Sequence, residues 1–384
     1  MYKSSNYKRR SRPSRGGQRI DSSRFIKSAR PIAQSEYTPQ YKFDDFELHS
    51  TLKHNLANRG FINPTQIQDK TIPFALNGSD IIGVSNTGTG KTMAFLLPLL
   101  HKMMSQPNQR TLIVAPTREL ALQIEEECRV LAKGSGLFGV LLIGGVPMGP
   151  QLRDLRQTPN VIIGTPGRIR DHIERGSLKL NNVSSVVLDE VDRMLDMGFI
   201  VDIKFILSKL PLQRQSQFFS ATISPSIEQL IHDFTKEPIS VSAKTSETSD
   251  NVEQTVQHYA ANSEKMEKLH GLLLSDQVEK TLIFSETKRS VEKLSQDLVD
   301  RGFMADAMHG NKSQAQRQRA LKKFRDSHIN ILVATDVAAR GIDVDGITHV
   351  INYDVPRTYN DYTHRIGRAG RAGSKGYAVT FVAR

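Results

Sequence analysis

Short runs of apolar, largely β-branched residues alternate with helix-period segments along most of this chain. That alternation limits the fold more than any other feature. The runs DIIGV (80–84), TLIVA (111–115), VLLIGG (140–145), NVIIGT (160–165), SSVVLD (184–189) and QFFSAT (217–222) come first. Helical periodicity fills the gaps, as at 117–133 and 226–236. A strand that is apolar on both faces needs cover on both faces, which a parallel sheet flanked by helices provides. A polar stretch without apolar period, SAKTSETSDN (242–251), then interrupts the pattern. The alternation restarts with TLIFS (281–285), INILVAT (329–335), THVINY (348–353) and GYAVTFV (376–382). The chain therefore reads as two α/β domains, 41–243 and 252–384, joined by a flexible linker at 244–251.

Charge separates a third region. The 384 residues carry a net charge of +12, yet residues 1–30 alone hold ten Lys/Arg against Asp21. Such a segment, rich in Ser, Gly and Arg, is expected to be a disordered basic tail, taken here as 1–40. It suits either a sequence-independent RNA tether or a solubilising or targeting tail. The longest apolar stretch, 94–100, is far too short to span a bilayer, and the N-terminus lacks the apolar core of a secretory signal. One cysteine, Cys128, allows no internal disulfide and sits on the apolar side of a helical pattern. A reducing, cytoplasmic setting without membrane contact is expected. The 11 histidines show no ligand spacing with cysteine, so no zinc is expected.

The segment SNTGTGKT (85–92) lies between the strand DIIGV and an apolar helix. Glycines at 88 and 90 let consecutive N–H groups turn inward toward phosphate oxygens, and the following helix adds its N-terminal dipole. Ser85, Asn86, Thr87, Gly88, Thr89, Gly90, Lys91 and Thr92 are the candidate phosphate cradle. Lys91 would reach the β- and γ-phosphates and Thr92 would ligate Mg²⁺. Ser85 stands where the strict phosphate-loop pattern has glycine. A glycine-rich turn is the plain alternative.

The strand SSVVL ends in a run of carboxylates, Asp189, Glu190 and Asp192. Ligands of open α/β sheets bind at the carboxyl ends of strands. Asp189 would hold Mg²⁺, directly or through water, and Glu190 would activate the attacking water. An exposed acidic turn would explain the charges but not the apolar strand feeding them.

The remaining motifs narrow the choice. GFINPTQIQ (60–68), PTREL (116–120), GG (144–145), TPGR (165–168), DEVD (189–192) and SAT (220–222) occur in that order. LIFSET (282–287), ATDVAARGID (334–343) and HRIGRAGR (364–371) follow. The set resembles the DEAD-box RNA helicases of helicase superfamily 2, from about Phe43 to the C-terminus. DRMLDMGFIVDI and HGNKSQ are most similar to the bacterial RhlE branch.

The resemblance implies two RecA-like domains and ATP-dependent local unwinding of short RNA duplexes, with ATP hydrolysis stimulated by RNA. It also implies residue roles. Gln68 would recognise adenine, with Phe43 stacked on the base, and Asp343 would hold the ribose. Asp192, Ser220, Thr222 and His364 would couple hydrolysis to domain closure. Arg368 and Arg371 would be arginine fingers on the γ-phosphate, although a basic nucleic-acid patch also explains that cluster. Arg118, Gly145, Thr165, Arg168 and Thr335 would grip the RNA backbone without reading its sequence. Gln314 and Arg317 would face RNA or the cleft, unless their helix is simply a solvated basic one.

Val191 replaces the family's usual alanine. If the strand continued past Glu190, alternation would turn this side chain into packed protein. Two other functions fit parts of the pattern: a non-catalytic ATP-gated RNA clamp or annealing protein, and a superfamily 2 DNA translocase. A monomer is expected, with protein partners unspecified.

Overall fold

The computed structural model describes residues 20–29, 37–86, 88–243, 251–275, 277–339, 344–370 and 374–384. Two sheets organise the chain. The first is built from β1 (Ile81–Val84), β2 (Arg110–Val114), β3 (Gly139–Leu142), β4 (Val161–Gly164), β5 (Val183–Leu188), β6 (Gln215–Ser220) and β7 (Ile239–Ser242). Their order is β3-β4-β2-β5-β6-β1-β7, and the ladders are parallel. The second holds β8 (Val252–Tyr259), β9 (Thr281–Phe284), β10 (Ala305–Met308), β11 (Ile331–Ala334), β12 (His349–Asn352) and β13 (Gly376–Ala383). Its order is β10-β11-β9-β12-β13-β8, again in parallel register. These are two RecA-like domains, each a parallel sheet covered by helices.

Helices on both faces explain why the central strands read as unbroken apolar runs. In the first half, Ile113, Val187 and Phe219 point into one buried cluster, while Leu112, Val186 and Phe218 point into the other. The second half divides in the same way, with Leu282 and Leu332 on one side and Ile283 and Val333 on the other. Cys128 is buried in the first cluster, and burial pushes its thiol up to about 12, away from thiolate chemistry.

Three differences from the sequence reading stand out. The edge strands β8 and β10 fall outside the apolar runs, because an edge strand is half-solvated and carries polar residues such as Glu253, Gln257 and Asp306. The expectation of a disordered tail through residue 40 fails for residues 20–29 and 37–40. Ser22–Phe25 forms a 3₁₀ turn with Phe25 fully buried, and Gln40 N–H donates to Asp69 at 2.8 Å. Third, the strand does not run on through Val191. The chain turns at Glu190, and helix Val191–Asp196 begins there. Val191 is buried all the same, in the cluster with Met194 and Phe218. Among the described residues no helix is long and apolar enough to cross a membrane.

Candidate active site

Three adjacent strands, β5, β6 and β1, deliver the first half's polar groups to one sheet end. Ser85 N–H donates to the Ser220 carbonyl at 3.1 Å, so the ladder continues directly into the phosphate loop. Gly88 and Gly90 take positive φ values of 80° and 92°. Gly90 has a second constraint, because a Cβ there would collide with the Gln68 amide. The loop is held from outside and within. Gln68 Nε2 donates to the Gly90 carbonyl at 3.0 Å, and Thr65 Oγ1 donates to the Thr89 carbonyl at 2.8 Å. Thr89 Oγ1 donates to the Asn86 carbonyl at 2.9 Å, and Lys91 Nζ to the Ser85 carbonyl at 3.0 Å. Lys91 thus starts the helix Lys91–Ser105 with its ammonium turned back over the cradle.

Asp189 follows β5 and is almost fully buried. Burial pushes its carboxyl up to about 7 against the opposing pull of Lys91, while the negative charge of Glu190 raises it further. A carboxyl held at such a cost is suited to a counter-charge that arrives with the ligand. Glu190 adopts a left-handed conformation, φ 52° and ψ 54°, unusual for a residue with a side chain. That turn aims its buried carboxylate into the cleft, where Oε2 lies 3.2 Å from Arg193 Nη1.

Asp192 Oδ2 accepts from Ala221 N–H at 3.2 Å, Thr222 N–H at 3.0 Å and Thr222 Oγ1 at 3.1 Å. Asp192 N–H donates to Ser220 Oγ at 3.3 Å. His364, on helix Tyr359–Ile366 of the second half, is reached through Arg193, whose Nη2 lies 3.4 Å from His364 Nδ1. Burial first, then the Arg193 charge, pulls the His364 imidazole down to about 4.

The halves enclose a cleft of about 610 Å³ whose walls include Lys91, Thr92, Asp189 and Glu190 from one side and Arg368 from the other. Phe61 and Arg59 form another part of the wall, with the guanidinium 4.8 Å from the ring centroid. Phe43 does not reach it. That ring is buried behind Phe61, at 6.3 Å between centroids, so Phe61 presents the aromatic face. Thr87, Asp343 and Arg371 lie outside the described residues.

The first-half candidates for RNA gather on one face. The Arg118 guanidinium lies so close over Gly145 that a side chain there would displace it, and Gly145 has a φ of 75°. Arg168 Nη1 donates to the Val146 carbonyl at 3.3 Å, and Thr165 caps the helix Pro166–Glu174 that carries Arg168. Thr335 comes from the other half, at the end of β11. Gln314 and Arg317 are buried against Glu119 of the first half: Arg317 Nη2 lies 2.9 Å from Glu119 Oε2, and Gln314 Nε2 donates to Glu119 Oε1 at 3.2 Å. The plain reading of a solvated helix therefore fails for these two residues.

Sequence reasoning passed over Arg193, Glu119 and Phe61. The first had a signal, since it is a cation only three residues after Glu190. Glu119 stood beside Arg118 in PTREL, and Phe61 inside GFINPTQIQ.

The fold and the cleft define a two-domain nucleoside-triphosphate-driven enzyme. The chain matches the DEAD/DEAH box helicase family over residues 65–230 and the helicase conserved C-terminal domain over residues 264–373. It is 45% identical over 342 residues to the DEAD-box ATP-dependent RNA helicase CshA of Bacillus subtilis, covering 88% of this chain and 69% of that protein. Among solved structures it is similar to a DEAD box protein of Methanococcus jannaschii, with 39% identity, TM-score 0.52, and coverage of 90% and 94%. It is also similar to S. cerevisiae Dbp5 bound to RNA and ADP BeF3, with 29% identity, TM-score 0.76, and 89% of each chain covered. The chain belongs to the DEAD-box family of ATP-dependent RNA helicases. It is an RNA-binding, RNA-dependent ATPase. These comparisons establish the family without singling out the RhlE branch.

Proposed function

We propose that ATP is hydrolysed in the cleft between the halves by Glu190 and Arg368, and that RNA switches this on by holding the halves together. The observation that carries the reading is the shared cleft: the phosphate loop and carboxylates form one wall and Arg368 the other. Water attacks the γ-phosphorus, its proton passes to Glu190, and the bond to the bridging oxygen breaks, releasing ADP and phosphate. Lys91 and the Gly88–Gly90 backbone bind the phosphates. Phe61, rather than Phe43, offers a ring to the base, and Gln68 supports adenine recognition while bracing the loop. Asp343 and Arg371 keep the ribose and second-finger roles proposed from the motifs.

Among the described residues no three His, Cys, Asp or Glu side chains converge on a metal position. A nucleotide-bound Mg²⁺ needs only one or two protein ligands beside phosphates and water. Thr92 and Asp189 fit that need, and the raised Asp189 carboxyl supports it. Bound there, the ion would neutralise charge on the phosphates.

Asp192, Ser220, Thr222 and His364 are assigned to coupling, through the Asp192 grip on the 220–222 turn. Arg118, Gly145, Thr165, Arg168 and Thr335 are assigned to the RNA sugar-phosphate backbone, with no sequence reading. The enzyme is proposed to act as a cytoplasmic monomer. The test is ATP hydrolysis with and without RNA for the wild type and Glu190→Gln. Loss of a positioned base lowers the RNA-stimulated rate by about 10²–10⁴-fold. Equal rates in both would overturn the assignment.

A further inference from the structure

Residues 20–29 precede the first half in sequence but are built into the second. Asp21 caps the Ser22–Phe25 turn by accepting from Ser23 N–H at 2.9 Å. Phe25 is fully buried in the second half's core, its ring centroid 4.7 Å from that of Tyr362. Lys27 then pairs antiparallel with Gln254 on the edge strand β8: Lys27 N–H donates at 3.1 Å, and Gln254 N–H returns at 2.8 Å. Ala29 N–H reaches Glu253 Oε2 at 3.3 Å, and the Arg24 guanidinium lies 4.1 Å from the Tyr359 ring centroid. One aromatic anchor, a two-way backbone bridge and a cation–π contact make this a docked arm.

What the arm touches gives it a role. Tyr359 and Tyr362 lie on helix Tyr359–Ile366, which carries His364 and Arg365 and leads directly to Arg368. Tyr362 Oη donates to Gln254 Oε1 at 3.0 Å, so the helix and the arm share one strand residue. Beyond Arg368, Gly370 lies against Val252, where an added Cβ would come within 2.9 Å of the valine methyl. Val252 starts β8 and belongs to the same core cluster as Phe25.

We propose that Phe25 and the 20–29 arm are positioning elements for Arg368: the arm wedges the Tyr359–Ile366 helix and the start of β8 so that the guanidinium meets the cleft. This rests on Arg368 acting across the cleft, as proposed above. Phe25 touches no substrate. Its effect passes through Tyr362 and Val252.

The test uses the full chain. Misplacing a catalytic group by ~1 Å costs up to ~10²-fold in rate. Phe25→Asp is expected to lower the RNA-stimulated kcat about tenfold, leaving the KM for ATP within about twofold and a cooperative thermal transition in place. Phe25→Leu keeps the site apolar and most of it filled, and should restore kcat to within about threefold. Lys27→Pro removes the bridging N–H without placing charge in the core, and should reproduce part of the kcat loss. Wild-type kcat in Lys27→Pro and Phe25→Asp overturns the proposal. So does a kcat loss matched by the fraction of unfolded protein. Arg368→Lys is measured alongside: full activity there sinks the finger reading itself, whereas a slow Arg368→Lys beside a fast Phe25→Asp sinks only the arm.

Discussion

The two halves share a fold but hold their charged groups differently. In the first, the site groups are folded back onto neighbours within the same half: Lys91 on the Ser85 carbonyl, Asp192 on the 220–222 turn. In the second, Arg365 is locked in place. Its guanidinium is bidentate to Asp336 at 2.5 and 2.7 Å, and Nη1 also reaches Asn352 Oδ1 at 3.0 Å and the Asp354 carbonyl at 2.8 Å. Three residues further on, Arg368 lines the shared cleft. The first half is a prepared cradle; the second is a rigid mount for a cation. Among the described residues polar contacts join them: Arg317 with Glu119, Arg325 with Glu126, Arg193 with His364, and Asn360 with Asp196. A polar inter-domain interface of this kind can part and re-form without exposing a core.

The sharpest way to break this comparison is at Arg317. The Arg317–Glu119 pair is buried, and removing one partner of a buried pair costs about 3–5 kcal/mol because the other charge is stranded. Here that cost falls on the closed arrangement. Arg317→Ala should raise the RNA concentration giving half-maximal ATPase about 100-fold, the equivalent of ~3 kcal/mol. Adding Glu119→Ala should recover part of the loss, since no charge is then left alone. A double variant as weak as the single would show that the pair acts on RNA and not on closure.

A smaller effect is expected at Val191, which belongs to the cradle's core and not to its chemistry. Val191→Ala removes buried methyl groups, at about 1–2 kcal/mol of stability in thermal unfolding. ATPase turnover should stay within about tenfold. A greater change would place this residue in the site.

The smallest effect is in pH. Burial pulls His349, stacked on Tyr377, down to about 4, and His364 at the interface reaches a similar value. Both folded values lie below the unfolded one, so the unfolded chain takes up protons first as pH falls. Their stabilising contribution is complete above about pH 6.5 and is lost progressively toward pH 4. Thermal midpoints followed from pH 7 to 4.5 should therefore fall, and fall less in His349→Asn. An unchanged slope in that variant would remove His349 as a source of the acid loss.

Much of this molecule was legible because its strands are buried on both faces and its motifs are contiguous. The runs at 80–84, 111–115 and 281–285 correspond to β1, β2 and β9, and Gly88, Gly90, Lys91 and Thr92 of the phosphate loop supply a wall of the cleft. The misses have two causes. β8 is a polar edge strand without an apolar run, and the arm and the Glu119–Arg317 pair are defined by contacts between segments far apart in sequence. Nothing in the sequence around Phe25 marks it as a core residue, because its partner Tyr362 lies more than 300 residues away. The resemblance pointed to Phe43 for the base and passed over Phe61, because nothing in the sequence shows which of the two rings lines the cleft.

The central claim is that RNA accelerates hydrolysis by bringing the second half's cation to the first half's phosphates. Single-turnover ATP hydrolysis of wild type and Arg368→Ala, each with and without saturating RNA, tests it most directly. The RNA-free rates should agree within about twofold, while the RNA-stimulated rate of the variant drops about 10³–10⁵-fold, toward its own RNA-free baseline. If Arg368→Ala instead lowers both rates by the same factor and keeps its full stimulation by RNA, domain closure does not deliver this residue and the account is wrong.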